Sequence, residues 1–463
     1  MAPLADLPTA TSGGDPALVG FVTVVAQNYL PGARVLARSL LVHEGLRLVV
    51  VVADLPAGGA FVDDDFDVVG PDQLPIPEGE LARMAMLYTV TEFSTALKPF
   101  ALRWLLERGS DAAVYLDPDM VLYAPLDGLR EHLAAAEVVL TPHVLSPMPR
   151  DGMETSEYTL RRCGIFNLGF LGVSSRGSAF LEWFGERLLR DAISDSIEML
   201  YADQKWADWA PALFDVAVWR DPGVNVAYWN LHERQPVEDE GSITCGGRPL
   251  RLFHFSGFDP AQPDVFSSRP GARYRVEEVP PAVQALSRAY AAEMSAAGSA
   301  RGRSLTYGFA ATPNGYRLEV PTRRHARVEL LRAEADGRPL PPTPFADEVA
   351  FARWLAEPVA CAGATAPRAL AIGLAVVTQK PAADAPEGLL QAWLTGEYGS
   401  GELTRYNEWA AVLGISPLDA PAAPGAGHVE TAQEAHGMPV VAPDQPAGLL
   451  RRIVRRMSRI ARR

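Results

Sequence analysis

The sequence has few cysteines, no N-terminal pattern typical of a signal peptide and no long apolar run. Its three cysteines, Cys163, Cys245 and Cys361, are widely spaced and odd in number. They provide neither a disulfide framework nor a metal-ligand pattern, which indicates a reducing compartment. Residues 1–16 show no charged segment followed by an apolar one, and no later apolar run is long enough to cross a bilayer. We therefore expect a cytoplasmic protein.

The sequence also lacks cofactor-binding motifs and, outside its last fifteen residues, an excess of positive charge. The chain has no G-x-G-x-x-G motif and no P-loop, which counts against dinucleotide cofactors and NTP hydrolysis. The formal net charge is −14, and because the last fifteen residues carry seven arginines and no acid, the rest of the chain carries −21. A body this acidic argues against nucleic-acid partners.

The patterns that are present predict an α/β protein. A chain of 463 residues with 48% hydrophobic content is expected to form two domains plus tails. Residues 18–26 predict a strand, residues 33–43 a helix and residues 46–53 a second strand, which together make a β-α-β unit. Ligands of open α/β sheets bind beyond the carboxyl ends of the strands, so the loop at residues 27–29 lies where a nucleotide would bind.

Two carboxylates follow a buried-strand pattern near residue 115. Asp117 and Asp119 come directly after an apolar run, and Pro118 stiffens the turn between them. Burying two carboxylates beside an apolar run is costly unless a cation compensates, so a divalent metal that carries a phosphate is the favoured interpretation. A turn with two solvated aspartates is the alternative.

Further polar residues have both a functional and a structural interpretation. Lys98 offers a positive charge to a phosphate or is a surface amine. Asn167 is the polar residue of a glycine-rich apolar segment in which backbone can approach a ligand, or it is a satisfied turn amide. Asp203 and Gln204 present an acid and an amide together, although Asp203 also suits a helix N-cap. His254 ends a strand, a place where histidine is usually a satisfied core residue.

The C-terminal third of the sequence differs from the rest in its pattern of predicted elements. From about residue 275 the sequence predicts a mostly helical accessory domain without a chemical motif, and a linker rich in proline, alanine and glycine follows it. The predicted parts are a domain over residues 271–416 with helices at 345–358, 389–395 and 403–413, an apolar strand at 369–378, and a linker over 417–448.

The final residues, 449–463, predict a basic amphipathic helix. Apolar side chains such as Leu449, Ile453 and Met457 share one face, and all seven arginines occupy the other. This pattern is typical of a helix on an anionic membrane surface. Docking on the acidic body of the protein and binding to nucleic acid are the alternatives.

Six short segments, in this order along the chain, resemble the retaining glycosyltransferases of family 8. This family has the GT-A fold and includes glycogenin-like enzymes and bacterial lipooligosaccharide galactosyltransferases. The resemblance covers roughly residues 18–260. The matching segments are Ala26 to Tyr29, Ala96 to Pro99, Tyr115 to Asp119, Phe166 to Gly169, Asp203 with Gln204, and Phe253 to Gly257.

The resemblance implies a GT-A domain over residues 18–270, after a disordered lead at 1–17, and a role for each matched residue. It implies transfer of a hexose, with UDP-hexose as the first candidate donor, to a cell-surface glycan or lipid-linked acceptor. The predicted tail helix adds the expectation that the protein acts at the inner face of the plasma membrane. Asp117, Asp119 and His254 would coordinate Mn²⁺ or Mg²⁺. The implied donor contacts are Ala26, Gln27, Asn28, Tyr29, Lys98, Asp117 and Gly257, and the residues implied at the reacting sugar are Asp203, Gln204 and Asn167.

Two positions depart from the family pattern. The family usually has an acid where Ala26 and Gln27 stand, which leaves the base of the nucleotide open. It also commonly follows the histidine motif with a Lys-Pro-Trp sequence that grips the diphosphate, whereas Gly257 here leads into Phe-Asp-Pro at residues 258–260.

Two other functions fit parts of the sequence. The segment from Asp117 to Leu122 also matches the Asp-x-Asp-x-Val-Leu pattern of haloacid-dehalogenase-type phosphohydrolases, with Asp117 as the nucleophile. In that family the motif normally opens the domain, whereas about a hundred residues of α/β pattern precede it here. A non-catalytic sugar-nucleotide-binding or membrane scaffold is the third hypothesis, because a fold does not determine a function.

Deletion of residues 449–463 tests the membrane prediction. Each arginine near an anionic surface contributes about 1 kcal/mol, so the truncated protein should bind anionic vesicles at least about tenfold more weakly in a co-sedimentation assay. Vesicles of neutral lipid serve as the control. Unchanged binding to anionic vesicles would rule out the interfacial role.

Overall fold

The computed structural model describes residues 18–152, 155–195, 198–239, 241–269, 278–378, 382, 389–394 and 397–419. The predicted lead at 1–17, the predicted tail helix at 449–463 and all but the first three residues of the predicted linker at 417–448 lie outside the described residues. Among the helices of the described part of the chain, none has both the length and the apolar character that a bilayer crossing requires.

The strands are short and mostly apolar. In chain order they are β1 (Val19–Val25), β2 (Leu48–Val52), β3 (Phe66–Val69), β4 (Ala112–Leu116), β5 (Met120–Leu122), β6 (Val138–Pro142), β7 (Phe166–Ser174), β8 (Ser194–Asp195), β9 (Leu200–Tyr201), β10 (Val216–Val218), β11 (Pro236–Asp239), β12 (Ser242–Cys245), β13 (Arg248–Pro249), β14 (Leu252–His254), β15 (Pro358–Cys361) and β16 (Ala364–Pro367).

The helices alternate with strands in the first half and dominate the second. They are α1 (Leu30–Glu44), α2 (Glu80–Leu87), α3 (Val90–Ala96), α4 (Lys98–Glu107), α5 (Leu129–Ala135), α6 (Glu157–Cys163), α7 (Ser178–Asp191), α8 (Gln204–Ala207), α9 (Ala210–Leu213), α10 (Pro281–Ala296), α11 (Ser299–Arg303), α12 (Val320–Asp336), α13 (Glu348–Ala356), α14 (Arg368–Thr378), α15 (Leu389–Leu394) and α16 (Glu397–Val412).

Seven strands form the central sheet in the order β10-β6-β7-β4-β1-β2-β3. Strands β4, β1, β2 and β3 are parallel, and β7 runs antiparallel between β4 and β6. The sheet is covered on both faces: Val22 and Val24 of β1 pack in a core with α4 and α7, whereas Phe21 and Val25 pack in a core with α1. This explains why the parallel strands are continuous apolar runs. The prediction of an α/β protein with a largely parallel sheet is confirmed, and the finer assignment to the GT-A fold stays a prediction.

A small antiparallel pair outside this sheet joins two distant parts of the chain. Strand β14 pairs with β5, and His254 lies opposite Met120. Because β5 begins directly after the turn that holds Asp117 and Asp119, this pairing carries the histidine to the two acids from more than 130 residues away in sequence.

The predicted strand at residues 369–378 is wrong, since these residues form helix α14. A short buried apolar run does not distinguish a strand from a helix by its periodicity. The run is rich in alanine and leucine, which favour helix. Leu370 and Leu374, one helical turn apart, pack in a small core with Leu390 and Leu394. The helices predicted at 345–358, 389–395 and 403–413 correspond to α13, α15 and part of α16.

A buried arginine attaches the C-terminal helices to the sheet region. Arg323 of α12 is 2% exposed and donates to the carbonyl oxygens of Ala85, Met86 and Tyr88 at 2.8, 3.1 and 2.7 Å. These carbonyls stand at the end of α2, where the last turn of a helix has no intrahelical donors. The cation therefore caps α2. The domain boundary predicted near residue 270 stays a prediction.

Replacement of Arg323 by methionine should lower the free energy of unfolding by about 3 kcal/mol or more, because it leaves several buried carbonyls without a donor. The urea midpoint measures the change. The matched control is Arg332→Met on the same helix, where the side chain is 66% exposed and pairs with Glu329. That variant should differ from the wild type by less than about 0.5 kcal/mol, and equal losses in both variants would contradict the capping role.

Candidate metal and nucleotide site

The carboxyl ends of β1 and β4 open onto a cleft of about 470 Å³. A smaller cavity of about 140 Å³ shares Asp117, Asp119 and Gln204 with the cleft and adds Asn167 and His254. The structure therefore brings together residues that are spread over more than 200 positions of the chain. The predicted residues that line the cleft are Ala26, Asn28, Tyr29, Lys98, Asp117, Asp119, Asp203, Gln204 and Gly257.

Gln27 is turned toward the protein instead of lining the described wall of the cleft. Its backbone N–H donates to Asp54 Oδ1 at 2.8 Å, and its side-chain amide donates to the Asp54 carbonyl at 3.2 Å. Asp54 also accepts the backbone N–H of Gly308 at 3.0 Å. The glutamine thus anchors the turn that carries Ala26, Asn28 and Tyr29, and its predicted contact with a donor stays a prediction.

Three potential metal ligands converge between the two cavities. Nε2 of His254 lies 3.0 Å from Oδ1 of Asp119 and 3.8 Å from Oδ2 of Asp117. One ligand atom of each residue lies within 4.8 Å of the others. The backbone fixes this arrangement, because the N–H of Phe255 donates to the Asp119 carbonyl at 2.8 Å and the N–H of Met120 donates to the Asp117 carbonyl at 3.0 Å.

The hydrogen bonds around His254 determine which of its nitrogens faces the acids as an acceptor. Nδ1 lies 3.2 Å from Oδ1 of Asn167 and 3.4 Å from Oδ1 of Asn225. Both amide oxygens only accept, so Nδ1 carries a proton, and in the neutral imidazole Nε2 presents its lone pair to the carboxylates. Among the described residues no donor lies between this lone pair, Oδ1 of Asp119 and Oδ2 of Asp117, and a divalent cation satisfies all three. The residues present therefore fit a metal.

Asn167 is fixed by its neighbours within strand β7. Its Nδ2 donates to Oε1 of Gln204 at 3.0 Å, and its Oδ1 accepts from Nδ2 of Asn225 at 3.0 Å as well as from His254. Gln204 in turn donates to the carbonyl of Cys163 at 3.2 Å. The alternative of a simple turn amide is wrong, because Asn167 is a buried strand residue that links Gln204 to the histidine.

Gly169 leaves the space that the histidine ring occupies. A Cβ atom at this position would lie 2.7 Å from Cε1 of His254 and 2.6 Å from Cε of Met120. Such distances are too short for any side chain. The glycine-rich segment that the sequence associated with a close ligand therefore admits the histidine and a methionine of the protein itself.

Lys98 is a buried cation and not a surface amine. It is 3% exposed, and its ammonium lies 2.8 Å from Oδ2 of Asp203, 2.9 Å from the Leu168 carbonyl oxygen and 3.4 Å from Oδ1 of Asp117. Burial opposes the charged form, but Asp117 and Asp203 raise the pKa of the ammonium above its ordinary value. Burial also keeps the pKa of the Asp203 carboxyl above its ordinary value, against the effect of Lys98.

The N-cap prediction for Asp203 is correct in position only. Asp203 occupies the N-cap of α8, but its side chain accepts no capping hydrogen bond. The carboxylate pairs with Lys98 instead. Because its carboxylate pairs with a buried cation and does not cap the helix, Asp203 contributes to the charges that line the cleft.

Sequence reasoning missed two residues that position the ligands. The hydroxyl of Tyr115 donates to Oδ1 of Asp117 at 2.7 Å, and its ring lies 4.3 Å from the Lys98 ammonium. An aromatic side chain within an apolar strand predicts only core packing. Asn225 has a φ of 58°, a left-handed conformation that asparagine tolerates better than most residues. The available signal for a turn at Asn225 was its position two residues after Pro222-Gly223.

Sequence reasoning also missed His143, which lies beside Asn167. Its Nδ1 donates to the Ile165 carbonyl at 3.1 Å, and its Nε2 lies 3.4 Å from Nδ2 of Asn167. Burial lowers the pKa of this imidazole to about 4, so the ring is neutral at physiological pH. His143 therefore supports Asn167 as a neutral acceptor and adds no charge to the site.

Comparisons with known proteins give the following findings. No family model matches the chain. The uncharacterized protein YfnD of Bacillus subtilis (strain 168) is 25% identical over 247 residues, which cover 51% of this chain and 77% of that protein. The galactosyltransferase LgtC, solved in complex with donor and acceptor sugar analogs, aligns with a TM-score of 0.34 and 14% identity over 60% of this chain and 95% of its own. An active-site mutant of LgtC aligns with a TM-score of 0.33 and 13% identity over 61% and 99%. Values this low do not assign the chain to a family.

Substitution of Gly169 by alanine tests the geometry of the ligand set. The added Cβ should displace His254, and the affinity for Mn²⁺ measured by isothermal titration should fall at least about tenfold, as it does when ligand orientation is lost. Gly172→Ala, on the same strand, is the matched control, because its Cβ would meet Leu133 and Val139 away from the acids. Wild-type Mn²⁺ affinity in Gly169→Ala would show that the histidine is not held as described.

Proposed function

We propose that this protein is a metal-dependent glycosyltransferase that moves a hexose from a nucleoside-diphosphate sugar to an acceptor hydroxyl, with retention of the anomeric configuration. The observation that carries the proposal is the convergence of Asp117, Asp119 and His254 at the ligand-binding edge of an α/β sheet. The cleft beside them, about 470 Å³, has the volume of a small-molecule site.

The acids and the histidine would hold the metal. Oxygen ligands alone suit Mg²⁺, whereas a set that includes an imidazole suits Mn²⁺ better. When bound, such an ion supplies positive charge to a diphosphate that departs with the nucleotide. Lys98 is already surrounded by Asp117, Asp203 and a carbonyl oxygen, so its part is to hold the two acids in place.

The reaction breaks the bond between the anomeric carbon and the oxygen of the β-phosphate. The acceptor hydroxyl oxygen forms the new bond to that carbon, and its proton passes to the departing phosphate oxygen. Gln204 is a weak nucleophile, and the carboxylate of Asp203 is held by Lys98 at 2.8 Å. Attack from the side of departure is therefore preferred over a covalent intermediate. Asn167 serves by orienting Gln204 and His254.

The two cavities suggest where the substrates bind. The larger one reaches the turn of Ala26, Asn28 and Tyr29 and would take the nucleotide, for which UDP is the first candidate. The smaller one is lined by Tyr228 and Trp229, and aromatic faces suit the apolar faces of a sugar. The acceptor is proposed to be a glycan or a lipid-linked sugar at the inner face of the plasma membrane, with residues 449–463 on the anionic surface.

Activity with UDP-, GDP- and dTDP-hexoses tests the proposal. With Mn²⁺, the wild type should release the nucleoside diphosphate and glycosylate an acceptor, and Asp119→Asn should reduce the rate at least about a hundredfold because metal binding is impaired. The control is Asp127→Asn, an exposed carboxylate that pairs with Arg251 beyond β5, and its rate should be unchanged.

Two outcomes would overturn the proposal in favour of the alternatives. Phosphatase activity that disappears in Asp117→Ala, without sugar transfer, would favour a phosphohydrolase with an aspartate nucleophile. Binding of a sugar nucleotide by the wild type, without turnover on any acceptor in a glycan and lipid-linked panel, would favour a scaffold.

A further inference from the structure

Two permanent positive charges line the cleft among its described residues, and they differ in how they are engaged. Lys98 is buried against three acceptors. Arg269 is exposed and lines both the larger and the smaller cavity, together with Asp117 and Asp119. Among the described residues no carboxylate forms an ion pair with its guanidinium. Arg269 is thus the cation that an incoming anion meets at the junction of the cavities.

The segment that carries Arg269 is bonded to the backbone directly after the metal-ligand histidine. The hydroxyl of Ser267 donates to the Ser256 carbonyl at 2.7 Å, and the N–H of Ser268 donates to the Gly257 carbonyl at 2.8 Å. The N–H of Arg269 donates to the Ser267 hydroxyl at 3.2 Å. The backbone of Arg269 is therefore held against the stretch of chain that directly follows His254.

Gly257 makes room for the alkyl part of this arginine. A Cβ at Gly257 would lie 2.7 Å from Cγ and 3.3 Å from Cδ of Arg269. The residue also has a φ of +72°, which glycine adopts without strain. The same Cβ would also lie 2.8 Å from the hydroxyl oxygen of Ser267, so glycine at this position leaves room both for the arginine stem and for the serine that holds the segment.

The charges of the cleft explain why an anion needs this second cation. The cleft is lined by four aspartates, Asp117, Asp119, Asp203 and Asp259, and by two cations, Lys98 and Arg269, so it is negative before any ligand enters. A metal compensates the two acids that would bind it, but a diphosphate brings further negative charge. A planar guanidinium presents two parallel N–H donors that match phosphate oxygens. Its side chain is exposed, and within the described part of the chain no carboxylate pairs with it, so it can turn toward a ligand.

We infer that Arg269 binds the diphosphate of the donor and stabilises the nucleoside diphosphate as it departs, and that Gly257 is a glycine in order to admit the arginine stem. This inference rests on the proposed function. Arg269, twelve residues after Gly257, would then distinguish nucleoside diphosphates from monophosphates.

Binding of UDP, GDP and dTDP, and of the corresponding monophosphates, is measured by isothermal titration with saturating Mn²⁺. For the diphosphate that the wild type binds, Arg269→Ala should weaken the affinity about ten- to a hundredfold, the loss expected for a paired charge-assisted contact. The affinity for the monophosphate should change less than about threefold. Arg269→Lys should fall between, because a point charge replaces the planar fork.

A second pair of variants separates this role from a general effect of charge or of folding. Arg288→Ala on α10 removes a positive charge outside the cleft and should leave the diphosphate affinity unchanged. Gly257→Ala should lose at least as much diphosphate affinity as Arg269→Ala does, because its Cβ would displace both the arginine stem and the Ser267 hydroxyl that holds the segment.

The outcomes distinguish the inference from the function on which it rests. If the wild type binds none of the diphosphates with Mn²⁺, the proposed function fails. If it binds one of them and Arg269→Ala binds it equally well, the inference fails and the function stands. Equal losses of affinity for the diphosphate and the monophosphate in Arg269→Ala would also overturn the role of Arg269.

Discussion

The pairing of two three-residue strands, β5 and β14, is the contact on which the site depends. It places His254 opposite Met120, three residues after Asp117, and the N–H of Phe255 then bonds to the Asp119 carbonyl. Without this pairing the two acids would face the cleft with no third ligand. Strand β14 has few residues, but Leu252 and Phe253 are fully buried in two different cores. Apolar packing on both sides therefore holds a polar ligand set in place.

Compensation of buried charge is the second constraint. Asp117 contacts Tyr115 and Lys98, Asp203 contacts Lys98, and Asp119 faces His254. Each of these three acids thus has a partner. In the neutral imidazole, however, the proton lies on Nδ1, away from the acids, so the pair of Asp119 and His254 is complete only with a cation. The proposed metal and Arg269 extend the same principle to the ligand, because they would supply the positive charge that a bound diphosphate requires.

The C-terminal helices support the walls of the cleft. Glu92 of α3 closes a capping box with Thr89, accepts the N–H of Ser194 at 3.0 Å and pairs with Arg324 of α12. Ser194 and several residues of α3 line the cleft. Arg323, the neighbour of Arg324, caps α2. The segment for which the sequence offered no chemical motif thus stabilises the elements that border the larger cavity.

The sequence by itself determined the local elements and the edge of the sheet at which the candidate site lies. Apolar runs predicted β1, β2 and β4, and polar residues after them located Asp117, Asp119 and the turn at residues 27–29, because these signals lie within a few consecutive residues. It failed for α14, where a short buried run is ambiguous. The family resemblance implied that His254 meets the acids, and only the tertiary structure decided how it does so, through the pairing of β14 with β5. Only the tertiary structure decided that Tyr115 contacts Asp117 and Asn225 contacts His254, that Lys98 pairs with two carboxylates and that Arg269 lines the cleft. Most of these contacts join residues far apart in sequence, and no local periodicity encodes the packing that brings them together.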